Sequence, residues 1–133
     1  MKVAELMHTE LRTISVDATV GDAVDALTEA HVSALPVVDR FGRAVGVIST
    51  RDILRAESTF NNPRARDALF EHTTVLEVMA AWPPTIQPDL DVKQAAQQML
   101  YFDAQRLFVE DEGGLVGVLS QSDIVAAVAR TKI

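Results

Sequence analysis

Gly46-Val47-Ile48-Ser49-Thr50-Arg51-Asp52-Ile53 is matched 71 residues later by Gly117-Val118-Leu119-Ser120-Gln121-Ser122-Asp123-Ile124. Both copies run glycine, two apolar residues, serine, and an aspartate three places beyond the serine. Upstream the match continues at a spacing of 72: Val3-Ala4-Glu5-Leu6-Met7 returns as Val75-Leu76-Glu77-Val78-Met79, Thr13-Ile14 as Thr85-Ile86, and Asp17-Ala18-Thr19-Val20 as Asp89-Leu90-Asp91-Val92. The missing residue falls in a turn, where Asp39-Arg40-Phe41-Gly42-Arg43 is answered by the shorter Asp111-Glu112-Gly113-Gly114. Self-similarity over such a period indicates a fold of two related halves, in which any groove should also occur twice. Each half has only about 55 residues, a size at which a unit alone is marginal, so the halves are expected to pack on each other.

Composition narrows the function classes. The 133 residues are 48% hydrophobic, enough for one real core. Net charge is −7 with a pI near 4.8, and the 12 basic residues are scattered. Affinity for a nucleic-acid polymer or an anionic membrane comes from clustered Lys and Arg, so neither is expected as a partner. The absence of cysteine excludes disulfides, thiolate metal sites and a cysteine nucleophile, and suits a reducing compartment. Met1 leads into Lys2-Val3-Ala4-Glu5 without the apolar run of a signal peptide, and no stretch approaches a membrane span, so the expected location is cytoplasmic. Ser49 and Ser120 have no histidine near them in sequence, and the glycines form neither a P-loop nor a dinucleotide fingerprint. A binding module is indicated rather than an enzyme. A hydrolase built on an unrecognised carboxylate pair would need a motif the chain does not display.

Each copy reads as helix, strand, helix, two strands, helix. Val3 to Met7 is a short helical turn, and the β-branched stretch Thr13 to Val16 reads as a strand. Thr19, three residues before Asp22, predicts a helix start, followed by Val20, Ala23, Val24 and Leu27 at helical spacing. The second copy has Asp91 as cap, Gln94 at the third position, and Val92, Ala95, Ala96, Met99 and Leu100 on one face. Leu35 to Val38 with Ala44 to Ile48, and Leu107 to Val109 with Leu115 to Leu119, read as antiparallel hairpins. A last helix begins near Arg51 and again near Ser122, the latter expected to carry Ile124, Val125 and Val128 inward. Between the copies, Arg55 to Thr74 is more polar, with a break at Asn61-Asn62-Pro63 and a short helix over Arg64 to Phe70. The organisation is thus repeat 1 over 1–58, a linker over 59–74 able to touch a partner, and repeat 2 over 75–133.

The repeated string admits two chemical readings. A glycine on the return strand leaves room for a flat ring or for another backbone to come close. Ser49 and Ser120 sit where a strand gives way to a helix, whose free N–H groups and positive dipole end suit a phosphate. An ionised Asp52 or Asp123 can accept hydrogen bonds from the two vicinal hydroxyls of a ribose. The same spacing also satisfies a capping box, which needs no ligand.

The doubled order of elements, Leu35-Pro36-Val37-Val38 before the hairpin, and the two glycine-to-aspartate strings resemble the CBS domain family. Over nearly its whole length the chain is similar to a tandem CBS pair, or Bateman module. The resemblance implies an α/β (α+β) fold of two β-α-β-β-α repeats packed through their sheets about a pseudo-twofold axis, leaving two clefts. It implies that the clefts take adenosine-containing ligands such as AMP, ADP, ATP or S-adenosylmethionine, with no cofactor required, and that the module regulates another protein. The site residues it implies are Thr13, Ile14, Leu35, Pro36, Ser49, Arg51 and Asp52 in the first copy. In the second they are Thr85, Ile86, Arg106, Leu107, Ser120, Ser122 and Asp123. Arg106 falls two residues before the family's usual proline, at a place where members carry a phosphate-contacting arginine, and a guanidinium suits phosphate. It could equally be a surface arginine paired with Glu110 or Asp111. Phe108 stands in place of that proline and could narrow the cleft, whereas Ala34 offers no charge and Arg51 can supply one instead. Trp82 could stack on adenine or serve as a core or dimer contact. His8, His31 and His72 lack the spacing of a metal site and are expected to cap helices or lie on the surface.

Two readings of function follow. In the first, an adenine nucleotide shifts the module between arrangements and so changes the activity of an unknown partner protein, which requires differential affinity for those arrangements. In the second, the clefts hold no ligand and the helical faces serve a homodimer.

Overall fold

The spacing of Thr19 and Asp22 is used as the sequence predicts. In the computed structural model, which describes residues 1–59, 62–81 and 85–130, Thr19 Oγ1 accepts the Asp22 N–H and Asp22 Oδ2 accepts the Thr19 N–H, both at 3.0 Å. In chain order the elements are α1 (Val3–Leu6), β1 (Ile14–Ser15), α2 (Val20–Ala30), β2 (Ala34–Val38), β3 (Ala44–Ser49), α3 (Thr50–Glu57), α4 (Pro63–His72), α5 (Val75–Val78), α6 (Val92–Phe102), β4 (Arg106–Asp111), β5 (Gly114–Ser120) and α7 (Gln121–Ala129). The fold is mixed α/β, and the described residues divide into a central unit, 12–59 with 62–81, and a flanking unit, 1–11 with 85–130.

In the central unit β1 runs parallel to β2, and β2 antiparallel to β3, with Leu35 opposite Ile48 and Ala34 opposite Ser49. In the flanking unit β4 and β5 form the matching hairpin, with Leu107 opposite Leu119 and Arg106 opposite Ser120. The bulges agree as well, at Val37/Val38 and Val109/Glu110. Thr85-Ile86 repeats the pairing of β1 in the same register but as a single bridge: Ile86 lies parallel to Val109 as Ile14 lies parallel to Val37. Helices α2 and α6 both end on a left-handed residue, His31 (φ 54°) and Asp103 (φ 52°), so His31 is a cap as expected. Helix α6 starts on a single cap, the Lys93 N–H donating to Asp91 Oδ1 at 2.8 Å, rather than on a reciprocal arrangement with Gln94.

The packing units cut the chain differently from the repeats 1–58 and 75–133, because the opening helices are exchanged. Val3 lies in the core of the flanking unit with Val92, Met99, Leu107 and Leu119. Val75 lies in the core of the central unit with Val20, Leu27, Leu35 and Ile48. Backbone hydrogen bonds fix both exchanges in the same register: Val3 and Ala4 donate to Leu90 and Pro88, and Val75 and Leu76 donate to Ala18 and Val16. Glu5 and Glu77, three residues into these turns, accept the N–H of Lys2 (2.6 Å) and Thr74 (2.8 Å).

Helix α4, read from sequence as a linker, folds onto α2 and α3 of the central unit. Asn62 caps it through the Ala65 N–H (2.9 Å), Pro63 occupies its first turn, Leu69 is buried in the core, and Arg66 pairs with Glu57 of α3 at 3.0 Å. Gly21 of α2 makes the close approach possible, since a Cβ there would lie 2.7 Å from the Phe70 carbonyl oxygen. The matching residue of α6 is Lys93, which has no such room to give.

Burial corrects three inward assignments. Ile124 is buried as expected, but Val125 and Val128 are 65% and 54% exposed, and Ala127 takes the inward place one turn on. Leu100 on α6 is likewise 78% exposed. Positions 124 and 127 form one stripe at helical spacing and 125 and 128 another, and only the first is buried, with Ile124 in the flanking core.

Candidate functional site

Both copies of the string place serine at the end of a strand and aspartate in the first turn of the next helix, within a single unit each time. In the central unit the Asp52 N–H donates to Ser49 Oγ (3.1 Å), while Asp52 Oδ2 accepts from the Ser49 N–H (3.0 Å) and hydroxyl (2.8 Å). In the flanking unit the Asp123 N–H donates to Ser120 Oγ (3.1 Å) and Asp123 Oδ2 accepts the Ser120 N–H (2.9 Å). The capping box foreseen as the ligand-free reading is therefore formed in both copies. It consumes one carboxylate oxygen. Among the described residues nothing bonds to Oδ1 of Asp52, whereas Oδ1 of Asp123 lies 2.8 Å from His8 Nε2. Burial pushes the Asp123 carboxyl up, but the Ser120 backbone N–H, the His8 ring and the Ser120 side chain together hold it below its ordinary 3.8.

The repeated glycines are accounted for by backbone. Val47 and Ala80 exchange N–H···O bonds (3.0 and 2.8 Å), and His8 and Val118 do the same (2.9 and 3.0 Å), so the chain leaving each opening helix runs beside the return strand. A Cβ at Gly46 would lie 2.7 Å from the Ala80 carbonyl oxygen, and one at Gly117 3.1 Å from the His8 carbonyl oxygen, with the Met7 side chain nearer still at 2.6 Å. Of the two uses offered by a glycine here, the structure shows the close backbone.

The other residues expected at the site separate by strand alternation. The side chains of Ile14, Leu35, Ile86 and Leu107 are in the two cores, leaving their backbone as the part able to meet a ligand. Pro36 and Thr85 are partly buried and Thr13 is exposed. Arg51 and Ser122, at matching positions in the first turns of α3 and α7, are exposed. Arg106 is exposed on β4 directly opposite Ser120. Each helix start thus has one nearby arginine, on the helix in the central unit and on the facing strand in the flanking unit. Phe108, in place of the proline, is 4% exposed. Trp82 lies outside the described residues. His8 is the residue the sequence concealed: it stands 115 positions from Asp123, and only the exchange of α1 brings it there.

This paired arrangement, a strand running into a serine-capped helix with an aspartate in its first turn, defines a doubled module of two related halves. A family model described as CBS domain matches residues 3–59 and again 75–130, and the chain belongs to the CBS domain family, which it carries as a tandem pair. It is 34% identical over 128 residues to a CBS domain-containing protein of Dictyostelium discoideum, covering 92% of this chain and 88% of that protein. It is 29% identical over 125 residues to inosine-5'-monophosphate dehydrogenase of Methanocaldococcus jannaschii, of whose length it spans 23%. Among solved structures it is similar to CBSX2 of Arabidopsis thaliana in complex with AMP, with a TM-score of 0.78 at 27% identity, covering 99% of this chain and 98% of that one.

Proposed function

We propose that the module senses an adenine nucleotide, AMP, ADP, ATP or S-adenosylmethionine, and through it modulates a partner protein. The observation that carries this reading is the state of Asp52. Its cap uses Oδ2 and leaves Oδ1 for ribose hydroxyls, at a helix start whose dipole favours phosphate, with Arg51 exposed beside it. The likeness to an AMP-bound structure supports the choice of nucleotide. Binding that favours one conformation of the module is what a regulated partner would read. The reading makes the chain a binding module without catalysis of its own, working in the cytoplasm, and no described helix is long and apolar enough to cross a membrane.

Isothermal calorimetry with AMP, ATP and S-adenosylmethionine tests it. Saturable heat is expected for at least one of them, and Asp52→Ala should weaken the binding on the order of 10- to 100-fold, the cost of removing a charged hydrogen-bond acceptor. No heat and no thermal shift with any of the three would refute the sensor.

A second reading, a homodimerisation module, is favoured by the outer face of α6 and α7. Leu100, Val125 and Val128 are exposed there, where the central unit has Thr28, Leu54 and Glu57. Lys93 and Asp123 are the charged residues of α6 and α7, and both lie in first turns. An uncharged apolar face is where two copies of a −7 chain can meet without repulsion. Sedimentation should give a dimer that Val125→Lys with Leu100→Lys converts to monomer. A wild-type monomer at the highest soluble concentration removes this reading.

A further inference from the structure

Residues 8 and 80 are equivalent in the repeat and in the fold. Each follows a methionine at the end of an opening helix, and each exchanges two backbone hydrogen bonds with the return strand, His8 with Val118 and Ala80 with Val47. The backbone therefore presents both side chains toward the helix start in the same way, and only the side chains differ. At 80 a methyl group reaches nothing polar. At 8 an imidazole spans the gap and places Nε2 2.8 Å from Asp123 Oδ1. With Oδ2 already in the cap, both oxygens of Asp123 are engaged, while Asp52 keeps one open. The His8 side chain is 67% exposed and has no other bond among the described residues, so it is held by this contact and can leave it.

We propose that His8 is an internal competitor for the nucleoside, closing the Asp123 corner so that the Asp52 corner fills first and the Asp123 corner only after the imidazole moves off. This rests on the sensor reading above. A ribose arriving at Asp123 must displace a hydrogen bond that a ribose arriving at Asp52 does not meet. The difference makes two corners built from one repeated string unequal in affinity, and lets the module respond over two ranges of nucleotide concentration.

The test uses the full chain and AMP. Asp52→Asn isolates the Asp123 corner and keeps a cap acceptor at 52, and circular dichroism checks that each variant is folded. In that background His8→Ala should tighten AMP binding about 5- to 10-fold, the size of one exposed charge-assisted hydrogen bond. In the reciprocal background, Asp123→Asn, the change Ala80→His should weaken AMP binding by a similar factor, an effect that loss of general stability would not produce. The His8 ring protons in the NMR spectrum should shift toward those of a free imidazole as AMP saturates the Asp52→Asn protein. Unchanged affinity on His8→Ala, with wild-type binding intact, would sink the competitor and spare the sensor. Weaker binding on His8→Ala would make His8 a ligand contact and also overturn the proposal. Absence of AMP binding in every variant, wild type included, would overturn the sensor for this ligand and the inference with it.

Discussion

Asp123 is engaged through both carboxylate oxygens, and this has a consequence in acid. Burial raises its carboxyl, and the hydrogen bonds from Ser120 and His8 outweigh that and lower it below 3.8. A carboxylate with a depressed folded-state value adds stability that is fully present above the unfolded value and is lost as pH falls through the folded one. The melting-temperature gap between wild type and Asp123→Asn should therefore be widest above about pH 5 and close as the pH drops below 3.8. Thermal unfolding followed by circular dichroism across a pH series measures it, and a gap of constant size would mean the carboxylate is not held in its charged form by the fold. The serine, the aspartate and the cap between them were legible in the sequence because their spacing is local. The histidine was not, because it reaches Asp123 across 115 positions of chain.

At the scale of elements, the two copies diverge most in what covers their helices. Helix α4 lies on α2 and α3 because Gly21 admits the Phe70 carbonyl, Leu69 fills the core and Arg66 finds Glu57. The exposed ion pair contributes little by itself, typically under about 1 kcal/mol. The close approach at Gly21 matters more. Gly21→Ala would gain roughly 0.5–1 kcal/mol in helix propensity. It would also set a Cβ 2.7 Å from a backbone oxygen, and overpacking of that kind costs about 1–3 kcal/mol. The expected net result is destabilisation by roughly 1 kcal/mol, read as a lower midpoint in urea unfolding. A midpoint that rises would show that α4 does not rest against α2 as described. The existence of α4 was legible in Asn62-Pro63 but its seat was not, since a polar helix between repeats has no periodicity that names its neighbour. The same limit explains α7, where two equally spaced apolar stripes compete and spacing cannot say which is inside.

At the scale of the whole molecule, the exchange of α1 and α5 ties each repeat to the other through its own core. The repeat itself was visible because an offset of 72, shortened to 71 after one turn, carries the match from Val3-Val75 through to Ile53-Ile124. The exchange was not, because a helix of four residues carries the same pattern whichever core receives it. The exchange places an expected effect in a particular half of the chain. Val3 and Val75 are each 0% exposed, and truncation to alanine removes two methylene equivalents and leaves a small cavity, about 2 kcal/mol. If α1 completes the flanking unit, Val3→Ala should speed native-state amide exchange in β4 and β5, by roughly 30-fold for that energy, and leave β2 and β3 nearly unchanged. Val75→Ala should do the converse, loosening β2 and β3, which lie across the linker from Val75 in sequence. Exchange that quickens in β2 and β3 on Val3→Ala, with β4 and β5 unaffected, would put α1 back on its own repeat and would also leave His8 without a path to Asp123.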